Sequence, residues 1–257
     1  METQPGNVNF KYQMKIVISQ PMFFPWVGLF EQIRLADIYV HYDDVQLPTG
    51  TSFMNRVQIK TKDGIMWLTV PLRRGNGKVL IKDALIADDI SWRAKHLKSL
   101  QSNYAKAKYR DEMLQIVDEI YKSDMQSIAL LNSFAIERIC QYFDICTDKK
   151  FYTSSLLETT SSSSQKLVDT VLLLKGDVYI TGLGALKYID YDLFENNHIR
   201  LEYMDYKKLP YTQSFGDFTP FVSILDLIAY CGKEGKSFIT SPSKYWKEFI
   251  DESARTI

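Results

Sequence analysis

Histidine and cysteine are scarce in this 257-residue chain, with three of each. Cys140, Cys146 and Cys231 form no metal-type pair and the histidines are scattered, which argues against a zinc site and for a reducing compartment. An excess of either charge is also missing, since 31 Lys and Arg balance 31 Asp and Glu. A zero net charge gives no global field for nucleic acid or a membrane, so an anion would have to be held by a local patch. No apolar run reaches membrane-spanning length, and the first dozen residues, polar and containing Pro5-Gly6, lack a signal-peptide core. These absences give the expectation of a cytoplasmic protein with no membrane span. Core material is ample, at 46% hydrophobic and 13% aromatic residues, which excludes a disordered chain.

The chain is organised around Met14 to Phe30. Ile16-Val17-Ile18 reads as a buried strand that stops at Gln20-Pro21, because proline has no N–H for a ladder. A turn holding two prolines follows, and Gly28 opens a helical pattern with Phe30, Ile33 and Leu35 on one face. Ile38-Tyr39-Val40 is the next strand. Strand, irregular turn, helix, strand is the opening unit of a parallel α/β sheet, whose ligands lie beyond the carboxyl ends of the strands. The same unit recurs later, as Asp177 to Ile180, the turn Thr181-Gly182-Leu183-Gly184, a helix through Leu186 and Phe194, and a strand near Ile199 to Tyr203.

Between the two units, Arg56 to Lys60 and Met66 to Pro71 read as hairpin strands joined at Asp63-Gly64, and Val79 to Ile81 as a short strand. Helical periodicity runs from Ser91, a candidate N-cap, to about Phe143, as three helices. The serines and threonines from Thr159 to Ser164 would cap a helix over 165–174. Phe221 to Tyr230 is a short helix closed by Gly232, and the tail beyond Ser241 is charged with no clear partner. The expected organisation is an N-terminal extension (1–13), a first α/β half with hairpin (14–90), an inserted helical segment (91–150), a second α/β half (151–240) and a tail (241–257). The expected fold class is α/β, a Rossmann-like, mainly parallel sheet with a β-hairpin and an inserted helical segment.

Chemistry-bearing residues gather at the expected strand ends. The Gln20 amide either satisfies the proline turn or points into the crevice as donor and acceptor, and Trp26 reads as core or pocket wall. Asp43 and Asp44 suit amine binding or general-base work, or else they cap a turn. As strand neighbours they point to opposite faces, so one would enter the site. Asn55 and Arg56 precede a strand, where Arg56 would clamp a phosphate or carboxylate or make a surface ion pair. Arg73 and Arg74 open a glycine-interrupted basic loop that is an anion site or a solvated tip. It is not a P-loop, as the Gly-Lys-Ser/Thr ending is missing. His96 is a helical histidine, a type that is more often structural than catalytic. The Thr181, Gly182 and Gly184 turn offers N–H groups to an anion but lacks the third glycine and the acidic partner of the dinucleotide fingerprint. Tyr211, Gln213, Ser223 and Asp226 would close the crevice from the far end, or Ser223 would simply cap its helix. Ser161 to Ser164 lack the glycines of a nucleophile elbow.

These residues resemble a family. The run Gln20-Pro21 through Pro25-Trp26-Val27-Gly28, Ala36-Asp37 leading to Asp43-Asp44-Val45-Gln46, and Asn55-Arg56 are similar to the WbqC-like family. The likeness continues through Trp67 to Pro71, Trp92 with Lys95-His96, Tyr179 with Thr181-Gly182, Tyr188, and Ser223 to Asp226. Members occur in clusters for O-antigen and related polysaccharides, and the activity suggested for some is transfer of an amino acid, glycine in particular, to an amino sugar. The resemblance therefore implies lipopolysaccharide biosynthesis. A more distant likeness is to the nucleotidyltransferase and class I synthetase superfamily, whose His-x-Gly-His motif grips ATP phosphates. Trp26, Val27, Gly28 and Leu29 stand at those four places, so both histidines are absent. This implies an enzyme that accepts an aminoacyl group activated elsewhere, on tRNA or a carrier thioester, in place of adenylation with ATP and Mg²⁺.

The function expected on this basis is an aminoacyl (glycine) transferase acting on the amino group of a nucleotide-linked 4-amino-4,6-dideoxysugar, with a dTDP-sugar favoured. Asp43, Asp44 or His96 would be the base. Gln20, Asn55 or the N–H groups near Gly182 and Gly184 would steady the carbonyl oxygen, and Arg56, Arg73 and Arg74 would hold pyrophosphate. Trp26, Thr181, Tyr188, Tyr211 and Gln213 would complete the substrate site, and no metal is expected. The alternatives are an ATP-dependent amino acid–sugar ligase and a non-enzymatic sugar-nucleotide binder.

Overall fold

The computed structural model describes residues 12–48, 52–73, 77–87 and 91–255, with 253–255 described by backbone alone. Arg74, most of the expected N-terminal extension and the segment 49–51 lie outside the described residues. The first unit is β1 (Lys15–Ser19), α1 (Val27–Leu35) and β2 (Ile38–His41). A hairpin, β3 (Arg56–Thr61) and β4 (Gly64–Thr69), stands apart as its own two-stranded sheet. Three helices follow, α2 (Trp92–Asn103), α3 (Arg110–Tyr121) and α4 (Ile128–Tyr142), then β5 (Lys150–Thr153) and α5 (Ser163–Leu173). The second unit is β6 (Val178–Thr181), a 3₁₀ turn at Leu183–Lys187, α6 (Tyr191–Asn196) and β7 (Arg200–Met204). The chain ends with α7 (Ile224–Cys231), β8 (Ser243–Tyr245) and α8 (Trp246–Arg255).

The six-stranded sheet has the order β5-β2-β1-β6-β7-β8, parallel throughout except for β8, which runs antiparallel to β7. Counting the parallel strands in chain order gives 3-2-1-4-5, the order of a doubly wound sheet. Its topological switch point lies between β1 and β6, which pair as Ile16 with Tyr179 and Val17 with Ile180. The continuous apolar runs arise because both faces are covered. Val17, Tyr39, Val178 and Ile180 join α1, the hairpin, α2–α4 and α7 in one core. Ile16, Ile18, Ile38, Val40, Tyr179 and Leu201 point the other way, against α5, α6 and α8. The period of two along each strand divides the residues between these cores, and each buried large side chain contributes about 1.5–3 kcal/mol.

Several local expectations are corrected. The stretch Val79 to Ile81 forms no strand. Leu80 makes a single bridge to Gln46, and Ile81–Asp83 coils into a 3₁₀ turn. Ser91 and Ser162 are the N-cap residues of α2 and α5, yet neither side chain makes a capping bond. The tail beyond Ser241 has partners after all, since β8 extends the sheet and Phe249 of α8 is buried against Tyr203. Among the described residues no helix is long and apolar enough to cross a membrane.

Candidate functional site

A cavity of about 740 Å³ opens at the carboxyl ends of four adjacent strands, and its floor is the switch point. Ser19 and Gln20 leave β1, Thr181 and Gly182 leave β6, Tyr42 follows β2, and Met204, Tyr206 and Lys208 follow β7. Its size suits a small organic ligand. Two close approaches shape the wall. A Cβ on Gly182 would stand 2.7 Å from Gln32 Nε2, so glycine there lets the α1 amide lie across the strand end. A Cβ on Gly28 would stand 2.0 Å from the Trp26 ring, so the indole folds back over the first turn of α1. Tyr206 and Phe221 pack edge-on to Trp26 at 4.8 and 5.4 Å.

Six of the expected site residues meet in this wall: Gln20, Trp26, Thr181, Gly182, Gly184 and Tyr188. The others lie elsewhere. Asp43 is buried, accepting from the Ser155 N–H at 3.0 Å and the Ser155 hydroxyl at 2.8 Å. Asp44 pairs with Lys166 at 2.5 Å, and Ser154 Oγ stands 2.6 Å from its other oxygen. These partners hold both carboxylates outside the wall, although Lys166 stands 5.7 Å from the ring of Tyr42, which lines the cavity. His96 is enclosed by Phe23, Trp92 and Tyr121. Its Nε2 is 3.1 Å from the Thr69 carbonyl, which can accept but not donate, so Nε2 carries the proton and Nδ1 accepts from the Tyr121 hydroxyl at 2.9 Å. Burial pushes its pKa down to about 4, so the ring is neutral and fully engaged.

The Asn55 amide donates to the Val70 carbonyl at 3.0 Å, tying the two hairpin strands. The Arg56 guanidinium carbon stands over Trp67, 4.3 Å from the ring centre, and Arg73 Nε donates to the Ile86 carbonyl at 3.2 Å. Tyr211 is buried beside Asp226, whose carboxylate accepts from Tyr104 at 3.0 Å and is pushed up to about 6 by burial. Gln213 bonds both ways to Thr219. Ser223 caps α7 through the Leu225 N–H and donates to the Phe24 carbonyl, locking the helix to the proline turn.

Gln32, Tyr42, Tyr206, Lys208 and Phe221 line the cavity without having been singled out in the sequence. Gln32 had a signal, lying one helical turn beyond Gly28 on the helix that leaves the first turn. Lys208 and Phe221 sit in an irregular segment, where pattern gives no direction. Among the described residues Lys208 is the one charged side chain in the wall, which holds no carboxylate and no imidazole. Burial raises the Tyr42 hydroxyl to about 12 and lifts Tyr188 and Tyr206 too, so these phenols are neutral donors. The arrangement offers hydrogen bonds from amides and phenols, one cation and an aromatic end.

Comparison with known proteins shows what the chain is similar to. No solved structure matches the chain at a significant level. A relative from Mycobacterium tuberculosis (strain ATCC 25618 / H37Rv), described as the uncharacterized protein Rv1507c, is 32% identical over 228 residues, covering 88% of this chain and 97% of that protein. The model of the WbqC-like protein family matches residues 20–238, from the first cavity residue after β1 to beyond α7. The chain belongs to the WbqC-like protein family.

Proposed function

We propose that the protein is a transferase that attaches an amino acid, glycine in the first instance, to the amino group of a nucleotide-linked 4-amino-4,6-dideoxysugar for a bacterial polysaccharide. The observation that supports it best is the cavity wall at the switch point, with Lys208 its one charged side chain among the described residues. A sugar nucleotide brings a diphosphate that needs a cation, and an amine that must be neutral to attack. A wall without carboxylates favours the free amine, because burial raises the cost of the ammonium form and no anion offsets it.

In this reading the amine nitrogen attacks the carbonyl carbon of an activated aminoacyl ester. The C–N bond forms, the ester C–O bond breaks, and the proton that the amine nitrogen sheds as it becomes an amide passes to the departing hydroxyl oxygen. The proton lost from the sugar ammonium goes to solvent on binding, which replaces the base role considered for Asp43, Asp44 and His96. Amide N–H groups of Gln20 and Gln32 and the Tyr42 hydroxyl would steady the carbonyl oxygen as charge develops. Asp44 and Lys166 would act behind Tyr42 by fixing its surroundings.

The test is mass spectrometry of dTDP-4-amino-4,6-dideoxyglucose incubated with glycine and ATP, with and without tRNA plus glycyl-tRNA synthetase. One added glycyl unit in the tRNA arm alone supports the transferase with a tRNA-borne donor. Product without tRNA would instead establish a ligase. Binding of the sugar nucleotide with no product from any aminoacyl donor, carrier thioesters included, would refute an enzymatic role.

A further inference from the structure

We propose that the β7 end of the cavity is a nucleoside diphosphate subsite, in which Trp26, Tyr206 and Phe221 hold the base and Lys208 holds the diphosphate. The inference rests on the transferase reading and assigns the orientation of its acceptor. The three rings wall one end of the cavity, with Tyr206 and Phe221 6.3 Å apart and both edge-on to Trp26. Phe221 nevertheless leaves 47% of its surface in contact with solvent, an uncovered apolar ring at the cavity. A planar base stacked there would cover it, a contact worth about 1–3 kcal/mol.

Lys208 stands 5.4 Å from the Phe221 ring and makes no ion pair with a described carboxylate, unlike Lys166, which Asp44 neutralises. Its backbone is left-handed, at φ 51°, a conformation that costs a non-glycine residue about 1–2 kcal/mol and is concentrated at functional positions. The segment is held in place from beneath. Lys60 donates to Gln213 Oε1 and to the carbonyls of Gly216 and Asp217, while the Tyr206 hydroxyl donates to the Pro220 carbonyl at 3.3 Å. Ring and cation are therefore preorganised on one short segment.

The opposite end of the cavity, after β2, presents Tyr42 and Tyr188 and, among the described residues, no unpaired cation. Three strand spacings separate the two ends, roughly 14 Å, a span that suits a nucleotide at one end and its sugar at the other. The base therefore lies beyond β7, and the reacting amine faces the β2 side near Gln20.

Isothermal titration of the full chain with thymidine, dTDP, inorganic pyrophosphate and 4-amino-4,6-dideoxyglucose 1-phosphate tests this. Lys208 and Phe221 are both exposed, so Lys208→Gln and Phe221→Ala leave the fold intact, which thermal melts verify. Lys208→Gln should weaken dTDP and pyrophosphate about tenfold and spare thymidine, whereas Phe221→Ala should weaken thymidine and dTDP about tenfold and spare pyrophosphate. Equal dTDP affinity in all three proteins, or no dTDP binding to the wild type, overturns the subsite. So does a loss in Phe221→Ala confined to the sugar phosphate, which would put the sugar on the ring. Transfer is read separately: product with unaltered dTDP binding sinks the subsite and spares the transferase. The predicted binding pattern without product does the reverse.

Discussion

Replacing His96 with glutamine should change how stability depends on pH more than it changes chemistry. The imidazole is 6% exposed, donates through Nε2 to Thr69 and accepts at Nδ1 from Tyr121. Its folded pKa of about 4 lies below the ordinary 6.5, so below pH 6.5 the unfolded chain binds the extra proton. Its contribution is therefore complete above about pH 6.5, falls as the pH drops towards 4, and falls no further once both states are protonated. The whole loss is about 3 kcal/mol, of which about 2 kcal/mol falls between pH 7 and pH 5. Glutamine keeps a donor and an acceptor but cannot titrate. At pH 7 the variant should be about 1–2 kcal/mol less stable from imperfect hydrogen bonds, and by pH 5 the gap should close or reverse. Urea unfolding at pH 7, 6 and 5 measures it, and a gap that does not move with pH would refute the neutral, buried imidazole. Transfer by folded His96→Gln should stay within about threefold of wild type, whereas loss of a general base would cost about 10²–10⁴.

Gly182→Ala should push the Gln32 amide out of the wall, raising KM or lowering kcat in the transfer assay while unfolding changes little; unchanged kinetics would remove Gln32 from the site. Lys166→Met removes the partner of the half-buried Asp44 carboxylate and should cost about 2–3 kcal/mol in denaturant unfolding, less than a fully buried pair. The companion Asp44→Asn/Lys166→Met protein should recover part of that loss, and equal losses would mean the pair is not coupled. Lys60→Met releases the 213–217 carbonyls and should weaken dTDP binding measured by titration, although Lys60 touches no ligand. A wild-type dTDP affinity would show that the segment holds its shape unaided.

The parallel strands were legible because burial on both faces makes them continuous apolar runs, and β1, β2, β6 and β7 fall close to where those runs lie. β5 was not, because Lys150-Phe151-Tyr152-Thr153 is a short edge strand of mixed polarity. α8 carried a trace in Trp246 and Phe249 at helical spacing, masked by the charges on its outer face. At the site, Gln20 and Gly182 were readable because the crevice of such a sheet is fixed by the ends of its strands. The roles of Asp43, Asp44 and His96 were not readable, since residue type does not reveal the serines, lysine and tyrosine that engage them. Lys208 and Phe221 flank a stretch tied down by Lys60, far away in the chain, a contact that no local pattern announces.

β2 and β5 lie side by side, yet roughly a hundred residues separate them, far beyond the dozen or so that a parallel crossover needs. Closing a loop costs (3/2)RT ln n, so the longer connection adds roughly 2 kcal/mol. The hairpin and three helices inside it offset that cost by burying apolar side chains in the core they share with one face of the sheet. Because β1 and β6 are neighbours whatever the crossover holds, turns between α2, α3 and α4 can lengthen or shorten without moving Gln20 away from Gly182. Variation in size within the family should therefore collect there, where no described residue lines the cavity, and the cavity floor can stay constant while the inserted helices change.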